Sequence, residues 1–271
     1  MTTENLLIPA DIHNHSTLSH DGCDEPMLMA QRAFELGIKH FALTDHIELE
    51  KLDVWDFRGA VARSEGVYRE IKERFAGRME VYYGAELGQP LYNLPETEKI
   101  LAEHDYDFVL GSQHRTKSYP YLTKVPDTPE DKTRCLDEYF EEELALAELG
   151  CFCSLSHLTF PLRFLCLDGW QPDMQKYSAV IEQILRTIIG RGIALEVNSS
   201  GIRKGLGVPM PGGEYIELYR RLGGRMITVG SDAHRVSDVG ADIPQVIALL
   251  KDTGFSEICV FRKKQPVFIK I

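Results

Sequence analysis

Residues 10–15 read Ala-Asp-Ile-His-Asn-His, a short β-rich run that ends in two histidines. Alternate residues of a strand share one face, so Asp11, His13 and His15 are expected to point the same way. Comparable runs recur along the chain, at residues 40–43, 79–84, 107–111, 151–156, 193–198 and 225–230. A last apolar pair, residues 258–261 and 267–271, closes the chain. The repeated run predicts a sheet of about seven similar strands.

Amphipathic stretches with helical spacing lie between these runs. They cover residues 26–37, 56–75, about 130–149, 174–189 and 214–222, and several stop at a glycine, as helices often do. The alternation predicts a parallel α/β fold, either a barrel or an open doubly wound sheet. A barrel of this kind takes roughly 250 residues, so the 271 residues of this chain would form one barrel.

The charge and composition exclude several classes of protein. The 41 acidic residues exceed the 30 Lys and Arg residues, which gives a net charge of −11 and disfavours a protein that coats nucleic acid. No apolar run is long enough for a membrane span, and residues 1–16 lack the pattern of a secretory signal. The six cysteines are scattered, which favours reduced thiols over disulfides. We therefore predict a cytoplasmic protein without membrane or nucleic-acid partners.

Most of the histidines follow the predicted strands directly. Six of the nine histidines lie at carboxyl ends of strands, accompanied by acids; the residues are His13, His15, His46, Glu86, His114, His157, Asp232 and His234. A parallel barrel gathers these ends into one mouth, where active sites of that architecture lie. The alternative is that these are ordinary structural histidines. That explanation suits His20, His40 and His104, but it does not explain a set that recurs at the ends of successive strands.

Imidazole mixed with carboxylate is a ligand set for Zn, Mn or Fe, whereas Ca and Mg prefer oxygen alone. Asp11 and Asp45 are placed to orient neighbouring imidazoles from outside the metal shell. The groups are too many for one ion, so we predict two to three divalent transition-metal ions. The short pair Cys151-x-Cys153 lacks a second pair at zinc-site spacing and is better explained as core positions on a strand.

The spaced motifs resemble the polymerase and histidinol phosphatase (PHP) family, and within it the stand-alone histidinol-phosphate phosphatases. The motifs span residues 11–235 and read DIHNHS, SHDG, LTDH, GAEL, GSQH, LSHLTFPLRF, ALEVNSSGIRKGLG and GSDAHR. The resemblance implies one domain, residues 1–271, folded as a distorted (β/α)7 TIM-like barrel around a trinuclear metal centre. The implied metal ligands are His13, His15, Asp21, His46, Glu86, His114, His157, Asp232 and His234, with His20 a rival to Asp21.

The same resemblance implies how the ligands and the substrate are arranged. His13, His15, Glu86 and Asp232 would hold one ion, Glu86 with His114 and His157 a second, and Asp21, His46 and His234 the third. Glu86, Asp232 and His234 would act in catalysis through a hydroxide that the metal ions activate, and Arg163 and Arg203 would bind the phosphate. The implied reaction is hydrolysis of L-histidinol phosphate, a step of histidine biosynthesis.

Two alternatives remain beside this hydrolase. One is a broad-specificity or nucleotide-directed phosphoesterase of the same family, because residues 115–121 depart from the segment expected over the substrate. The other is a non-catalytic metal-binding regulatory protein, which the intact set of costly buried polar groups disfavours. The acid-rich residues 137–143 are expected to be a solvated helix face.

Overall fold

Parallel strands surround the core of the molecule. The computed structural model describes residues 8–271, and the strands of its main sheet are β1 Ala10–Asp11, β2 His40–Leu43, β3 His46–Glu48, β4 Glu80–Gly88, β5 Phe108–Ser112, β6 Ser154–Leu155, β7 Ala194–Asn198 and β8 Ile227–Gly230. Their order is β1-β2-β4-β5-β6-β7-β8, every pairing is parallel, and the short β3 continues beside β4 where β2 ends. The predicted parallel α/β fold is confirmed.

The first and last strands of this path meet and close the sheet into a barrel. The amide of Ile12 donates to the carbonyl of Val229 at 3.2 Å, and that of Asp232 donates to the carbonyl of His13 at 2.8 Å. The amide of His15 donates to the carbonyl of Ala233 at 2.7 Å. These bonds decide between the two topologies left open by the sequence, because an open doubly wound sheet would leave both edges unpaired.

Helices cover the outside of the barrel. They are α1 Pro26–Glu35, α2 Phe57–Arg74, α3 Leu94–Glu103, α4 Pro129–Leu149, α5 Leu162–Leu165, α6 Ser178–Arg191, α7 Gly213–Arg221 and α8 Ile243–Asp252. The five predicted helices are present, although the stretch at 174–189 begins with a 3-10 turn at Met174–Tyr177 before α6. The sequence analysis left out α3, α5 and α8, as well as the strand β3.

A two-stranded antiparallel hairpin, β9 Glu257–Arg262 and β10 Gln265–Lys270, covers the amino-terminal end of the barrel. Its turn is anchored to Asp107, whose side chain accepts from the amide of Lys263 at 2.9 Å. The ring of Phe261 stacks on that of Phe108 in β5, with centroids 5.5 Å apart. The carboxyl ends of the strands lie at the opposite end of the barrel, which the hairpin leaves open for a site.

The acid-rich face of α4 is not simply solvated. Asp137 and Glu141 are exposed as expected, but Glu142 and Glu143 are buried. Glu142 and Glu138 accept hydrogen bonds from the segment that follows β5, which holds that segment against the helix. None of the helices described for residues 8–271 is long and apolar enough to cross a membrane.

Candidate metal centre and active-site cleft

The carboxyl end of the barrel gathers every predicted metal ligand into one network, buried at its centre and exposed at Asp21. Each of the nine residues has a side-chain atom within 4.0 Å of another member; they are His13, His15, Asp21, His46, Glu86, His114, His157, Asp232 and His234. They come from six different strand ends, as a parallel barrel allows. The predicted gathering is therefore present in the structure, although the ion that each residue binds stays a prediction.

Glu86 lies at the centre of this network. Its Oε1 lies 3.0 Å from Nε2 of His114 and 3.1 Å from Nε2 of His157. Its Oε2 lies 2.9 Å from Nδ1 of His46, and Nε2 of His13 is 3.3 Å away. A carboxylate with separate groups of imidazoles on its two oxygens has the geometry expected of a residue that bridges two ions.

The donor set fits divalent transition metals. Three groups have ligand atoms within 4.8 Å of one another, namely His13–His15–Asp232, His46–Glu86–His114 and His15–His46–His234. Buried Oε2 of Glu86 and Nδ1 of His46 make no well-aligned hydrogen bond within residues 8–271, although the two atoms lie 2.9 Å apart. Buried polar atoms are normally satisfied, so this pair favours positive charge between its members, either a metal ion or a proton on the ring. Two of these groups combine residues that were predicted for different ions: His15 lies with His46 and His234, and His46 lies with Glu86 and His114. The division of ligands among ions therefore remains a prediction.

The SHDG loop brings Asp21, rather than His20, to the network. Oδ2 of Asp21 lies 3.2 Å from Nε2 of His234, and its Oδ1 lies 3.6 Å from Nε2 of His46. His20 lines the same cleft, with its ring 5.3 Å from that of His46 and 5.4 Å from that of Trp55, but its Nδ1 lies 3.8 Å from Asp21, farther than either of the Asp21 contacts. Gly22 is required for this loop, since a Cβ there would lie 1.8 Å from the carbonyl oxygen of Ser16. The geometry favours Asp21 as the ligand.

Two buried acids that the sequence analysis missed contact the rings of histidines predicted to bind metal. Oε1 of Glu196, in β7, lies 2.5 Å from Nδ1 of His13. Oε1 of Glu48, in β3, lies 2.8 Å from Nδ1 of His114. The sequence did carry a signal for each. Glu48 follows His46 by two residues, so the two share a face of a strand, and Glu196 is an acid flanked by apolar residues in the run 193–198.

Asp11 and Asp45, the acids expected to orient imidazoles, do not contact a histidine ring. Asp11 accepts from the amide of Ser231 at 2.9 Å and from its hydroxyl at 2.6 Å. Asp45 accepts from the hydroxyl of Ser19 at 2.8 Å. The expectation was wrong because other donors bind both carboxylates: Asp11 also accepts from the amide of Gly240 at 2.8 Å, and Asp45 from the amide of Ser16 at 2.6 Å. Asp11 therefore joins the two ends of the barrel instead.

Opposite charges hold the network together. Burial alone lowers the pKa of His114, but Glu86 and Glu48 raise it to about 10. In the same way burial lowers the pKa of His46, and Glu86 with Asp21 raises it to about 9. Burial would raise the pKa of Glu86, yet the surrounding imidazoles hold it well below its usual range. The carboxylates thus attract positive charge strongly, which protons supply when metal ions do not.

A cleft of about 180 Å³ opens over the network. Arg163, in the first turn of the short α5, lines this cleft and places its Nη1 3.7 Å from Oδ2 of Asp232. Its guanidinium lies over the rings of Phe160 and Phe164, at 5.2 and 4.9 Å from their centroids. A larger groove of about 690 Å³ lies at the opposite end of the barrel, beside Arg220 and Phe268, and contains none of the predicted site residues.

Arg203 lies behind the cleft wall. Its Nη2 donates to the carbonyl of Ser231 at 2.5 Å and lies 3.4 Å from the carbonyl of Asp232. Its Nε and Nη1 face Asp238 and Asp242 at 3.8 and 3.6 Å. The structure therefore places Arg203 on the main chain that carries the predicted ligand Asp232, and its contact with phosphate stays a prediction.

The segment after His114 also contributes to the cleft. Arg115 lines it and forms ion pairs with Glu48 and Glu50, both at 2.9 Å. Thr116 donates to Glu138 on α4 at 2.9 Å. The segment is thus fixed from two sides, and Arg115 forms part of the cleft wall.

Comparison with known proteins agrees with the motifs. The model of the family described as PHP domain matches residues 11–200. The chain belongs to the PHP family. A Thermotoga maritima protein named "Probable histidinol-phosphatase" is 31% identical over 263 residues, which cover 94% of this chain and 96% of that one. A Deinococcus radiodurans protein of the same name is 27% identical over 94% of this chain and 98% of its own length.

A solved structure shows the same PHP-family barrel. The histidinol phosphate phosphatase of Lactococcus lactis, crystallised with zinc, L-histidinol and phosphate, superposes with a TM-score of 0.77 at 19% identity and covers 96% of this chain and 99% of that chain. This likeness confirms the predicted TIM-like barrel. The family and its named relatives together confirm the predicted resemblance to stand-alone histidinol-phosphate phosphatases and the predicted class, a metal-dependent phosphoric monoester hydrolase.

Proposed function

We propose that this PHP-family chain hydrolyses L-histidinol phosphate to L-histidinol and phosphate. The observation that carries the proposal is that Arg163 opens into the same 180 Å³ cleft as the buried histidine–carboxylate network. A guanidinium fork matches phosphate oxygens, so this cleft combines an anion-binding group with a metal-binding one. The relatives named above, which match over more than nine tenths of the chain, support the choice of phosphate ester.

We infer two to three divalent transition-metal ions, of Zn, Mn or Fe, held by the nine residues of the network. Imidazole nitrogens mixed with carboxylate oxygens are the donor set that these metals prefer. Such ions, when bound, lower the pKa of a water and neutralise the charge that develops on a phosphoryl group. Among the protein residues, we assign Glu86, Asp232 and His234 to the place where the reacting phosphorus would lie.

The protein residues would orient the substrate around this place. Arg163 would bind two phosphoryl oxygens, and the rings of Phe160 and Phe164 beneath it would keep water from its guanidinium face. Asp232 adopts a left-handed backbone conformation, with φ of 53°, at the point where it meets Arg163. Strain of this kind persists at functional sites because the surroundings hold it in place. Arg203, which binds the neighbouring carbonyls, remains the second predicted phosphate ligand.

The proposal includes the cell compartment and the extent of the catalytic unit. All six cysteines are free thiols in the structure, which supports a reducing compartment, and we propose the cytoplasm. We also propose that residues 1–271 act as one catalytic domain, since the barrel path runs from β1 to β8 and the final hairpin packs on its amino-terminal end.

A substrate panel tests the proposal. Purified protein should contain two to three transition-metal ions per chain, and it should release phosphate from L-histidinol phosphate far faster than from nucleoside monophosphates. Comparable rates on both would favour the broad-specificity phosphoesterase, because the cleft would then select only the phosphate. A chain that binds metal but hydrolyses neither class would favour the regulatory alternative.

A further inference from the structure

Among the strands that end at the mouth, β7 carries no predicted metal ligand, yet it places a buried acid inside the network. Glu196 lies in this strand with 1% of its surface exposed. We propose that Glu196 is a positioning residue that fixes metal ligands from two other strands at once. It would hold the ring of His13, which follows β1, and the main chain of His157, which follows β6.

Both oxygens of Glu196 are occupied by these two residues. Its Oε1 lies 2.5 Å from Nδ1 of His13, and its Oε2 accepts from the amide of His157 at 2.9 Å. Asn198, two residues along the strand, adds a donor 3.3 Å from Oε2. A carboxylate whose oxygens both face donors has little capacity left to bind an ion directly, so Glu196 acts through the histidines.

The contact with Nδ1 determines which nitrogen of His13 can bind metal. A neutral imidazole has one protonated nitrogen and one lone pair, and a carboxylate at Nδ1 keeps the proton on that atom. Nε2 of His13 is then the nitrogen left to bind an ion, and it lies 3.3 Å from Oε2 of Glu86, the oxygen that would share that ion. Nε2 of His157 lies 3.1 Å from the other oxygen of Glu86. Glu196 and Glu86 thus hold these two histidines from opposite sides.

The neighbouring strand leaves room for this pair. A Cβ on Gly230 of β8 would lie 2.2 Å from Cβ of His13 and 3.0 Å from Oε1 of Glu196. The contact between His13 and Glu196 also joins residues 183 positions apart in the chain. A glycine at this point lets three strands approach closely, and the resulting contact aligns donors that the sequence places far apart.

This inference rests on the metal-binding part of the proposed function and does not depend on the substrate. The variant Glu196→Gln keeps the shape of the side chain and removes one of its two acceptor oxygens. If its amide oxygen faces His13, its NH2 group opposes the amide of His157. If it is turned round, its NH2 group donates to Nδ1 of His13 and forces the proton onto Nε2, where it blocks the ion.

The test measures metal affinity by competition with a chelator, using Zn or Mn added to the metal-free full chain. We expect Glu196→Gln to bind these ions about 10- to 100-fold more weakly than the unchanged chain, as loss of outer partners of metal ligands typically causes. The matched control is Glu143→Gln. It makes the same change at a buried glutamate of α4, away from β7, and should retain the original affinity. Equal affinity in Glu196→Gln and the unchanged chain would overturn the proposal.

A second measurement decides the case in which Glu196→Gln fails to fold. Nitrogen NMR of the histidine rings in the unchanged metal-free chain, recorded at a pH high enough for the His13 ring to be neutral, reads which of its two nitrogens is protonated. A proton on Nδ1 supports the role of Glu196, and a His13 ring protonated on Nε2 alone refutes it. A chain that binds no transition metal refutes the proposed metal chemistry instead, and the NMR result still decides how Glu196 acts on His13.

Discussion

Oε1 of Glu48 lies 2.8 Å from Nδ1 of His114, and Nε2 of the same ring faces Oε1 of Glu86 at 3.0 Å. Glu48 also pairs with Arg115 through its other oxygen, at 2.9 Å. Its pKa falls to about 2, because the charges of His114, His46 and Arg115 outweigh the effect of burial. The residue therefore stays ionised and keeps His114 turned toward the centre of the cleft.

Replacing Glu48 with Gln should weaken metal binding about 10- to 100-fold, since the proton on Nδ1 of His114 loses its charged acceptor. The measurement is ions retained per chain after equilibrium with a chelator. Glu50→Gln is the matched control, because Glu50 pairs with the same Arg115 but has no contact with a histidine ring. Equal losses in both variants would show that Arg115, rather than His114, carries the effect.

Metal binding should strengthen with rising pH. An ion needs a neutral imidazole, and the acids of the network hold the pKa of His46 at about 9 and that of His114 at about 10 when no metal is bound. Apparent affinity should therefore increase up to about pH 10, well beyond the usual histidine value of 6.5. A plateau already reached near the usual histidine value would contradict this expectation. Isothermal titration with Zn or Mn across this range gives the result.

The metal-free chain should lose thermal stability over the same interval. The two folded-state pKa values lie above the unfolded value of 6.5, so their contribution is complete below that pH and disappears as pH rises through about 9 and 10. Tm measured without metal should fall between these limits. In saturating metal the fall should be much smaller, because ions replace the lost protons, and an identical fall with metal would argue against binding at these histidines.

Alanine variants of Arg163 and Arg203 test which of the two side chains binds phosphate. Arg163→Ala should raise KM for the phosphate ester and leave the metal content intact, because the guanidinium lines the cleft without being a metal ligand. Arg203→Ala should likewise weaken phosphate binding with metal retained if the sequence prediction holds. Loss of metal in Arg203→Ala would show instead that its bonds to the carbonyls of Ser231 and Asp232 position the ligand Asp232. Exposed Arg186→Ala is the control for charge removal.

Glu143→Gln should stabilise the protein at neutral pH. Both carboxyl oxygens of Glu143 are buried without a hydrogen-bond partner, and burial raises its pKa well above 4.5. A folded-state pKa above the unfolded value means that stability falls as pH rises past about 4.5, while the unfolded chain ionises freely. The amide has no such penalty, so the gain in Tm should grow with pH. A pH-independent difference between the two proteins would contradict this cause.

Much of the site could be predicted because ligand residues follow strands in a regular way. All nine predicted metal ligands converge, and the order of the strands along the barrel follows the order of the motifs. Glu48 and Glu196 were missed because an acid within an apolar run has no local property that distinguishes an orienting role. Asp11 and Asp45 were assigned that role wrongly, since their carboxylates accept hydrogen bonds from Ser231 and Ser16, and the sequence does not show which donors the fold brings to them. The strand β3 is too short to show a periodic pattern, whereas α8 does carry apolar residues at helical spacing, at Ile243, Val246, Ile247 and Leu250, and this signal was overlooked.

The sequence by itself determined the parallel α/β pattern, the PHP family and the types of metal-binding groups, because these depend on periodicity and on residues spaced along the chain. The resemblance of the motifs also predicted a barrel. The tertiary structure alone shows which contacts close it, between β1 and β8. It also decided that Asp21 and not His20 faces His234, that Arg163 opens into the cleft while Arg203 binds main chain, and that Glu196 joins His13 to His157. Each of these depends on distances between residues far apart in the chain, which only the packed barrel sets.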